Sequence, residues 1–201
     1  MSFMYNPFPF DDPKPINRPK LSEETIRSVV TGGTPNVAKK FIADIAGKVK
    51  SEGVVVGIDG YTTANWKQFV DLLARECIIN GFEFEAIDSM EAVLKSGKEI
   101  DEMIDSRLIW DTKIDPTLLY GKLYYGGYIG LFDEAKVADF QKAVPAKKAA
   151  GKLVVVAGYG CMIPELRDMY DVKCWFDLTP MRTILRIRNG EYANIGKERP
   201  G

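Results

Sequence analysis

The stretch that decides the fold of this chain reads Val54-Val55-Val56-Gly57-Ile58-Asp59-Gly60-Tyr61-Thr62-Thr63-Ala64-Asn65-Trp66-Lys67. Residues 54–58 form a short apolar run rich in β-branched side chains, which is typical of a strand buried on both faces of a parallel sheet. A loop over residues 59–64 and a helix over residues 65–80 are predicted to follow it. Ligands of open parallel sheets bind beyond the carboxyl ends of the strands, so this loop is the first candidate site.

Strands and helices alternate along the rest of the chain. A helix is predicted from Thr34, with Pro35 at its first position, as far as Gly53. Residues 82–87 alternate like a strand nearer the sheet edge, whereas residues 153–157 form a second fully buried strand. The other predicted elements are helices over 89–109 (broken around Gly97) and 133–144, a strand over 172–178 and a final segment from Pro180, for which we favour a helix. This alternation predicts βαβ units and a three-layer α/β fold with a parallel sheet.

The composition limits the chemistry that the chain can perform. Its 201 residues include no histidine, which excludes Ser-His-Asp and Cys-His catalysis and every zinc site that needs an imidazole. Three cysteines cannot complete an all-cysteine tetrahedral site, so we predict no zinc site. Asp111 and Asp115 bracket Lys113 and could form a cation site, but we favour a solvated turn and predict no metal-ligating residue. The cysteines are widely spaced in apolar surroundings, which is typical of reduced thiols in a cytoplasmic protein.

The balance of charges limits the partners. Lys and Arg number 27 against 28 Asp and Glu, a net charge of -1, so no nucleic-acid partner is expected. The apolar stretches are too short to span a membrane. The N-terminus lacks the basic and apolar regions of a signal peptide. These features predict a cytoplasmic protein without a membrane partner.

Four segments are predicted along the chain. Residues 1–20 contain five prolines and four aromatic rings, which favours an extended arm that docks on the domain or on a partner, with a disordered tail as the alternative. Residues 21–52 are predicted to be N-terminal helices, the first of them capped by Ser22. Residues 53–190 form the α/β domain, and residues 191–201 a linker or chain end.

The loop after the first buried strand resembles a phosphate-binding loop. Gly57-Ile58-Asp59-Gly60 is similar to the start of the G-x-x-G-x-x-x-x-G-K-[ST] element of the uridine kinase and phosphoribulokinase group of P-loop kinases, and Gly60 falls on its first Walker glycine. Asn65, Trp66 and Lys67 replace the second glycine, the phosphate-binding lysine and the magnesium-binding hydroxyl residue. Residues 153–177 resemble the later strand and helix of the group, with Ala157 where the family usually carries a carboxylate.

The resemblance implies a P-loop NTPase, nucleoside-kinase-like fold with ATP and Mg as cofactors. It implies that Asp88 accepts the proton of the substrate hydroxyl and that arginines after Pro180 lie where the lid arginines of the family clamp the phosphates. The residues that it implies for nucleotide or phosphate binding are Asp59, Gly60, Tyr61, Thr62, Thr63, Lys67, Arg182 and Arg186.

The same region resembles the N-terminal part of some bacterial class I mannose-6-phosphate isomerases, in which a metal-binding cupin follows. The metal site of that isomerase uses histidines, and this chain has none. The resemblance therefore implies that any isomerase activity lies outside these residues and that the chain is an accessory to a sugar-phosphate enzyme.

Residues 120–130 form a further candidate, rich in tyrosine and glycine. One interpretation is a mobile loop whose rings stack on a sugar or base, with Lys122 contacting phosphate. The alternative, which we favour, is a hairpin or Ω-loop whose tyrosines pack with their hydroxyls in water.

Three functions follow from these observations. The first is a degenerate kinase, a binding or regulatory module that binds a nucleotide or a sugar phosphate. Phosphoryl transfer depends on charged groups placed around the phosphate, and the residues that would supply them are replaced in this chain. The second is an active ATP-dependent nucleoside or sugar kinase. In it, Lys67 would take the role of the phosphate-binding lysine through a one-residue shift of the helix register, and Asp88 would act as the base. The third is a structural or oligomerisation domain whose arm contacts a partner.

Overall fold

The computed structural model describes residues 22–24, 26, 32–116, 124–192 and 195. The predicted arm over residues 1–20, Lys122 in the tyrosine-rich segment and most of the predicted linker lie outside the described residues. In the part of the chain that the structure describes, no helix has the length and apolar character needed to cross a membrane.

A parallel sheet forms the centre of the molecule. In the described ranges it has four strands in the order β2-β3-β1-β4, and each neighbouring pair is parallel. The strands are β1 Val54–Gly60, β2 Glu83–Asp88, β3 Lys152–Ala157 and β4 Val172–Phe176. The predicted edge position of residues 82–87 is confirmed, since among the described strands β2 stands at the end of the order and pairs with β3 alone. The buried runs in β1 and β3 occupy the two central positions, as both-face burial requires.

Helices cover both faces of this sheet. They are α1 Thr34–Glu52, α2 Lys67–Asn80, α3 Ser89–Val93, α4 Gly97–Asp105, α5 Glu134–Ala146 and α6 Pro180–Arg188, with 3₁₀ turns at Tyr128–Leu131 and Arg167–Met169. The predicted interruption near Gly97 is confirmed, because Ser96 begins α4 with a reciprocal capping box to Glu99. The helix favoured after Pro180 is confirmed as α6.

The two faces have separate apolar cores. On one face, α1 and α2 pack through Ile42 and Leu73 against the even-numbered residues of β1, among them Val56. On the other face, α3, α5 and the segment after β3 pack against Val55 and Val154. The three-layer α/β prediction is therefore confirmed.

Several boundaries of the sequence prediction are wrong. The helix predicted to residue 109 ends at Asp105, the strand predicted to residue 178 ends at Phe176, and the candidate loop is shorter than predicted. The loop was expected to begin at Asp59, but β1 continues to Gly60 because Asp59 and Gly60 pair with Trp175 and Phe176 of β4. The helix likewise begins at Lys67 and not at residue 65. The long-range partner strand extends β1 past the point where the local apolar pattern stops.

Candidate functional site

The candidate site lies at the carboxyl ends of β1 and β3. These strands are neighbours, but the chain leaves β1 toward α2 on one face and leaves β3 toward the opposite face. The crevice between two such diverging connections is where parallel α/β sheets bind ligands. The loop over residues 61–66 and the loop over residues 158–162 meet there.

A buried carboxylate organises the two loops. Asp59 is 5% exposed. Its Oδ1 accepts hydrogen bonds from the amides of Gly60 at 2.8 Å and Gly160 at 3.1 Å, and its Oδ2 accepts one from Met162 at 3.1 Å. In phosphate-binding loops, convergent amides of this kind face the anion. Here they bind an anion that the protein itself supplies.

Loop amides are also engaged within the protein. The amide of Tyr61 donates to Phe176 at 2.8 Å, and that of Ala64 donates to the Tyr61 carbonyl at 2.8 Å. The amide of Lys67 donates to Oδ1 of Asn65 at 3.0 Å. Three donors that a phosphate loop would direct at its ligand therefore bond to neighbouring residues.

Three consecutive carbonyls of the loop accept hydrogen bonds from side chains elsewhere in the chain. The hydroxyl of Thr183 donates to Thr62 at 3.4 Å, Nη1 of Arg186 donates to Thr63, and the hydroxyl of Tyr159 donates to Ala64 at 3.1 Å. Since Thr183 and Arg186 belong to α6, this helix fixes the loop.

Thr63 has a strained conformation within this loop. It is 1% exposed and has a φ of 67°, a left-handed conformation that is a genuine outlier for a β-branched residue. Its Oγ1 is buried and has no hydrogen-bond partner among the described residues. Strain of this kind persists where the surrounding structure imposes it, and it concentrates at functional sites.

Aromatic rings occupy the start of α2. Trp66, at the position that the phosphate-loop resemblance assigns to the Walker lysine, packs edge-on against Tyr159 with ring centroids 4.9 Å apart. Tyr159 in turn packs edge-on against Tyr192, with ring centroids 6.2 Å apart. Burial, reinforced by Tyr192, raises the pKa of Tyr159 to about 12, so its hydroxyl remains a neutral donor. A ring cluster therefore replaces the cation expected here.

The cations predicted for phosphate binding have other partners or face solvent. Lys67 is 80% exposed at its side chain and pairs with Asp71 at 3.1 Å. Arg186 bonds to the loop and pairs with Glu191 at 3.3 Å. Arg182 is exposed on α6. The structure therefore brings only Arg186 into contact with the loop, and there it binds a carbonyl.

Asp88 lies in a separate cavity of about 420 Å³ beside β2. Its Oδ1 accepts hydrogen bonds from the amides of Met90 at 2.7 Å and Glu91 at 3.3 Å, so Asp88 caps the N-terminus of α3. Lys67 lines the same cavity, whereas Asp59, Gly60, Tyr61 and Thr62 line another of about 350 Å³. The predicted site residues therefore do not share one cavity: Thr63, Arg182 and Arg186 line neither of these two.

The sequence reasoning did not single out several residues of the site. Gly160 and Met162 hold Asp59, Tyr159 and Thr183 hold the loop, and Trp175 lines the smaller cavity. Their position in the sequence could have identified them. Residues 158–162 follow a buried central strand, as the first loop does, and therefore lie at the edge of the sheet where ligands bind.

ATP·Mg does not fit these residues. The carboxylate of Asp59 already accepts hydrogen bonds from three amides, and Lys67 stands where the resemblance places the magnesium-binding hydroxyl. We therefore derive no reaction step through ATP or magnesium.

Fold and site together define an α/β protein with an all-parallel sheet. The loop between the diverging connections after β1 and β3, which is the switch point of the sheet, has amides and carbonyls that are hydrogen-bonded within the protein. The chain belongs to the family described as a domain of unknown function (DUF8485), whose model matches residues 38–201. It is similar to a solved structure described as a possible uridine kinase from Bacillus stearothermophilus, at 12% identity and a TM-score of 0.44, over 74% of this chain and 84% of that one. No curated protein matches the chain. The predicted association with an isomerase stays a prediction.

Proposed function

We propose that this protein is a kinase-like binding module that does not transfer phosphoryl groups. The observation that carries the proposal is the carboxylate of Asp59, which accepts the three amides of Gly60, Gly160 and Met162 at the switch point of the sheet. A phosphate placed against these amides would have to displace a buried carboxylate and would be repelled by it.

Missing positive charge supports the same proposal. Phosphoryl transfer is almost entirely positioning and electrostatic stabilisation of the transferred group. Trp66 stands in place of the phosphate-binding lysine, Lys67 pairs with Asp71, and Arg186 is hydrogen-bonded to Thr63. These groups supply no preorganised cation at the place where the charge of the transition state would develop.

Such a module would act by binding and would serve an enzyme that carries its own active site. The resemblance to the N-terminal part of mannose-6-phosphate isomerases makes a sugar-phosphate isomerase the first partner to test. In this proposal the strained loop at Thr63, held by α6, is the element whose conformation a ligand or partner would change.

The test is an ATP turnover assay with two matched variants. Lys67 and Lys98 are both exposed lysines at the start of a helix, paired with an acid one turn later at 3.1 and 3.8 Å. We expect no turnover above the enzyme-free rate for the wild type, Lys67→Ala or Lys98→Ala. Turnover that is lost in Lys67→Ala and kept in Lys98→Ala would establish the active kinase instead.

An interaction domain is the second candidate function, favoured by the surface of α6. Met181, Ile184 and Leu185 are 67%, 55% and 41% exposed and share one face of the helix. Contiguous exposed apolar side chains mark interaction surfaces. Light scattering coupled to size exclusion tests this function: a dimer in the wild type that is lost in Ile184→Glu would support it, and a monomer at every concentration would contradict it.

A further inference from the structure

A second feature of the site is a cleft of about 350 Å³ beside Asp59. Asp59 and Trp175 are direct partners in the pairing of β1 with β4, so their side chains point to the same face of the sheet. Tyr61 enters from the loop after β1, and Tyr128 enters from the 3₁₀ turn. The cleft therefore has a carboxylate at one side and aromatic rings from three separate elements.

The charge of the cleft has one sign. Among the described residues that line it, Asp59 supplies the one carboxylate, and none is a lysine or an arginine. Burial, with a smaller contribution from Asp59, raises the pKa of Tyr128 above its ordinary value, so this phenol stays neutral. With no lining lysine or arginine, the cleft disfavours an anion and favours a cation.

The rings are accessible to a ligand. Tyr61, Tyr128 and Trp175 are 43%, 37% and 62% exposed, so a ligand in the cleft can reach all three. The faces of such rings carry negative potential and attract ammonium groups, Trp most strongly. Close packing also holds one of them in place, because a Cβ on Gly160 would lie 2.9 Å from the ring of Tyr128.

From this arrangement we propose that the cleft binds an organic ammonium group between the rings of Tyr61, Tyr128 and Trp175. Asp59 keeps its three amide hydrogen bonds and acts as a buried counter-charge beneath the cleft, without direct contact with the ligand. The inference rests on the proposed function in one respect, because it assumes that the switch point binds a ligand without phosphate chemistry. It replaces the anionic ligand that the phosphate-loop resemblance implies with a cationic one.

The test compares two probes of nearly the same shape. Choline carries a quaternary ammonium, and 3,3-dimethylbutan-1-ol is its uncharged isostere. We expect calorimetry to give saturable binding of choline with a Kd in the millimolar range and binding of the alcohol weaker by about 3- to 30-fold. No saturable choline binding, or equal binding of both probes, would overturn the proposal.

Variants of Trp175 show whether the probe binds in this cleft. Trp175 is largely exposed, so its replacement leaves the fold intact. Trp175→Leu removes the aromatic face and is expected to weaken choline binding by about 3- to 10-fold, whereas Trp175→Phe keeps most of it. Trp110→Leu alters an equally exposed tryptophan that does not line the cleft and should leave the affinity unchanged. Equal effects of Trp175→Leu and Trp110→Leu would contradict the assignment.

Failure of this inference is distinguishable from failure of the proposed function. Turnover of ATP that depends on Lys67 would refute the binding module, whatever choline does. Absence of choline binding in a protein without ATP turnover would refute the cationic ligand alone. Preferential, saturable binding of an uncharged sugar such as mannose over choline, lost in Trp175→Leu, would also overturn the cationic ligand and replace it with a sugar ring.

Discussion

The guanidinium of Arg186 donates a hydrogen bond to the carbonyl oxygen of Thr63, across 123 residues of sequence. This contact joins α6 to a loop whose central residue has a left-handed conformation. The hydroxyl of Thr183, one turn earlier on α6, donates to the neighbouring carbonyl of Thr62. The last helix therefore holds the loop after the first strand in a conformation that the loop alone would not favour.

Removing this arginine is expected to destabilise the protein. Arg186→Met leaves the carbonyl of Thr63 without its donor and ends the pairing with Glu191, so the free energy of unfolding should fall by about 1–3 kcal/mol. Urea denaturation measures the change. Arg188→Met, at an exposed position of the same helix, should change the free energy by less than about 0.5 kcal/mol. Equal losses in both variants would show that the loop contact contributes nothing.

Replacing the hydroxyl of Thr63 is expected to stabilise the protein. Oγ1 is buried without a hydrogen-bond partner among the described residues, so Thr63→Val removes a desolvation penalty at constant shape, by about 1 kcal/mol. Thr183→Val, whose hydroxyl has an acceptor, should instead lower stability. Thermal and urea unfolding compare the two variants. A loss of stability in Thr63→Val would show that its hydroxyl has a partner in solution.

Two glycine substitutions of the same chemistry are expected to act in opposite directions. A Cβ on Gly57 would lie 2.5 Å from the buried ring of Tyr170, so Gly57→Ala should cost about 1–3 kcal/mol or more through overpacking. Gly47 lies on the exposed face of α1 with nothing within 4 Å, so Gly47→Ala should stabilise by about 0.5–1 kcal/mol. Both substitutions reduce the conformational entropy of the unfolded chain by the same amount, so the difference between the two variants arises in the folded state. A tolerated Gly57→Ala would mean that Tyr170 can move.

Acid sensitivity is expected to depend on Asp171. Burial alone would raise the pKa of this carboxyl, but hydrogen bonds from Lys148, the amide of Val55 and Lys48 outweigh it and lower the pKa to about 2. The folded-state pKa is below the ordinary value of 3.8, so the stabilisation is complete above about pH 5 and is lost as the pH falls through 4 toward 2.

Denaturation of wild type and Asp171→Asn between pH 7 and pH 2 measures this effect. The difference between their free energies of unfolding should shrink as the pH falls. Asp44→Asn is the matched control, because Asp44 also pairs with a lysine at 2.9 Å but is 58% exposed at its side chain. Its effect at neutral pH should stay within about 0.5 kcal/mol. A constant difference for Asp171→Asn across the range would contradict the lowered pKa.

Much of the fold could be predicted from local pattern. The β-branched runs at residues 54–58 and 153–157 predicted the two central strands, and Pro35 and Gly53 marked the ends of α1. The site was less predictable, because Gly160 and Met162 reach Asp59 only after the strands have paired. A contact between residues about a hundred positions apart leaves no periodic signal in the sequence.

The sequence by itself determined the alternation of strands and helices, because the burial pattern of each segment is a local property. Only the tertiary structure decided that β1 lies between β3 and β4. It also decided that Asp59 accepts a hydrogen bond from the amide of Gly160 and that Arg186 donates one to the carbonyl of Thr63. The physical reason is that these contacts depend on how both faces of the sheet bury their apolar side chains together, which no single segment specifies.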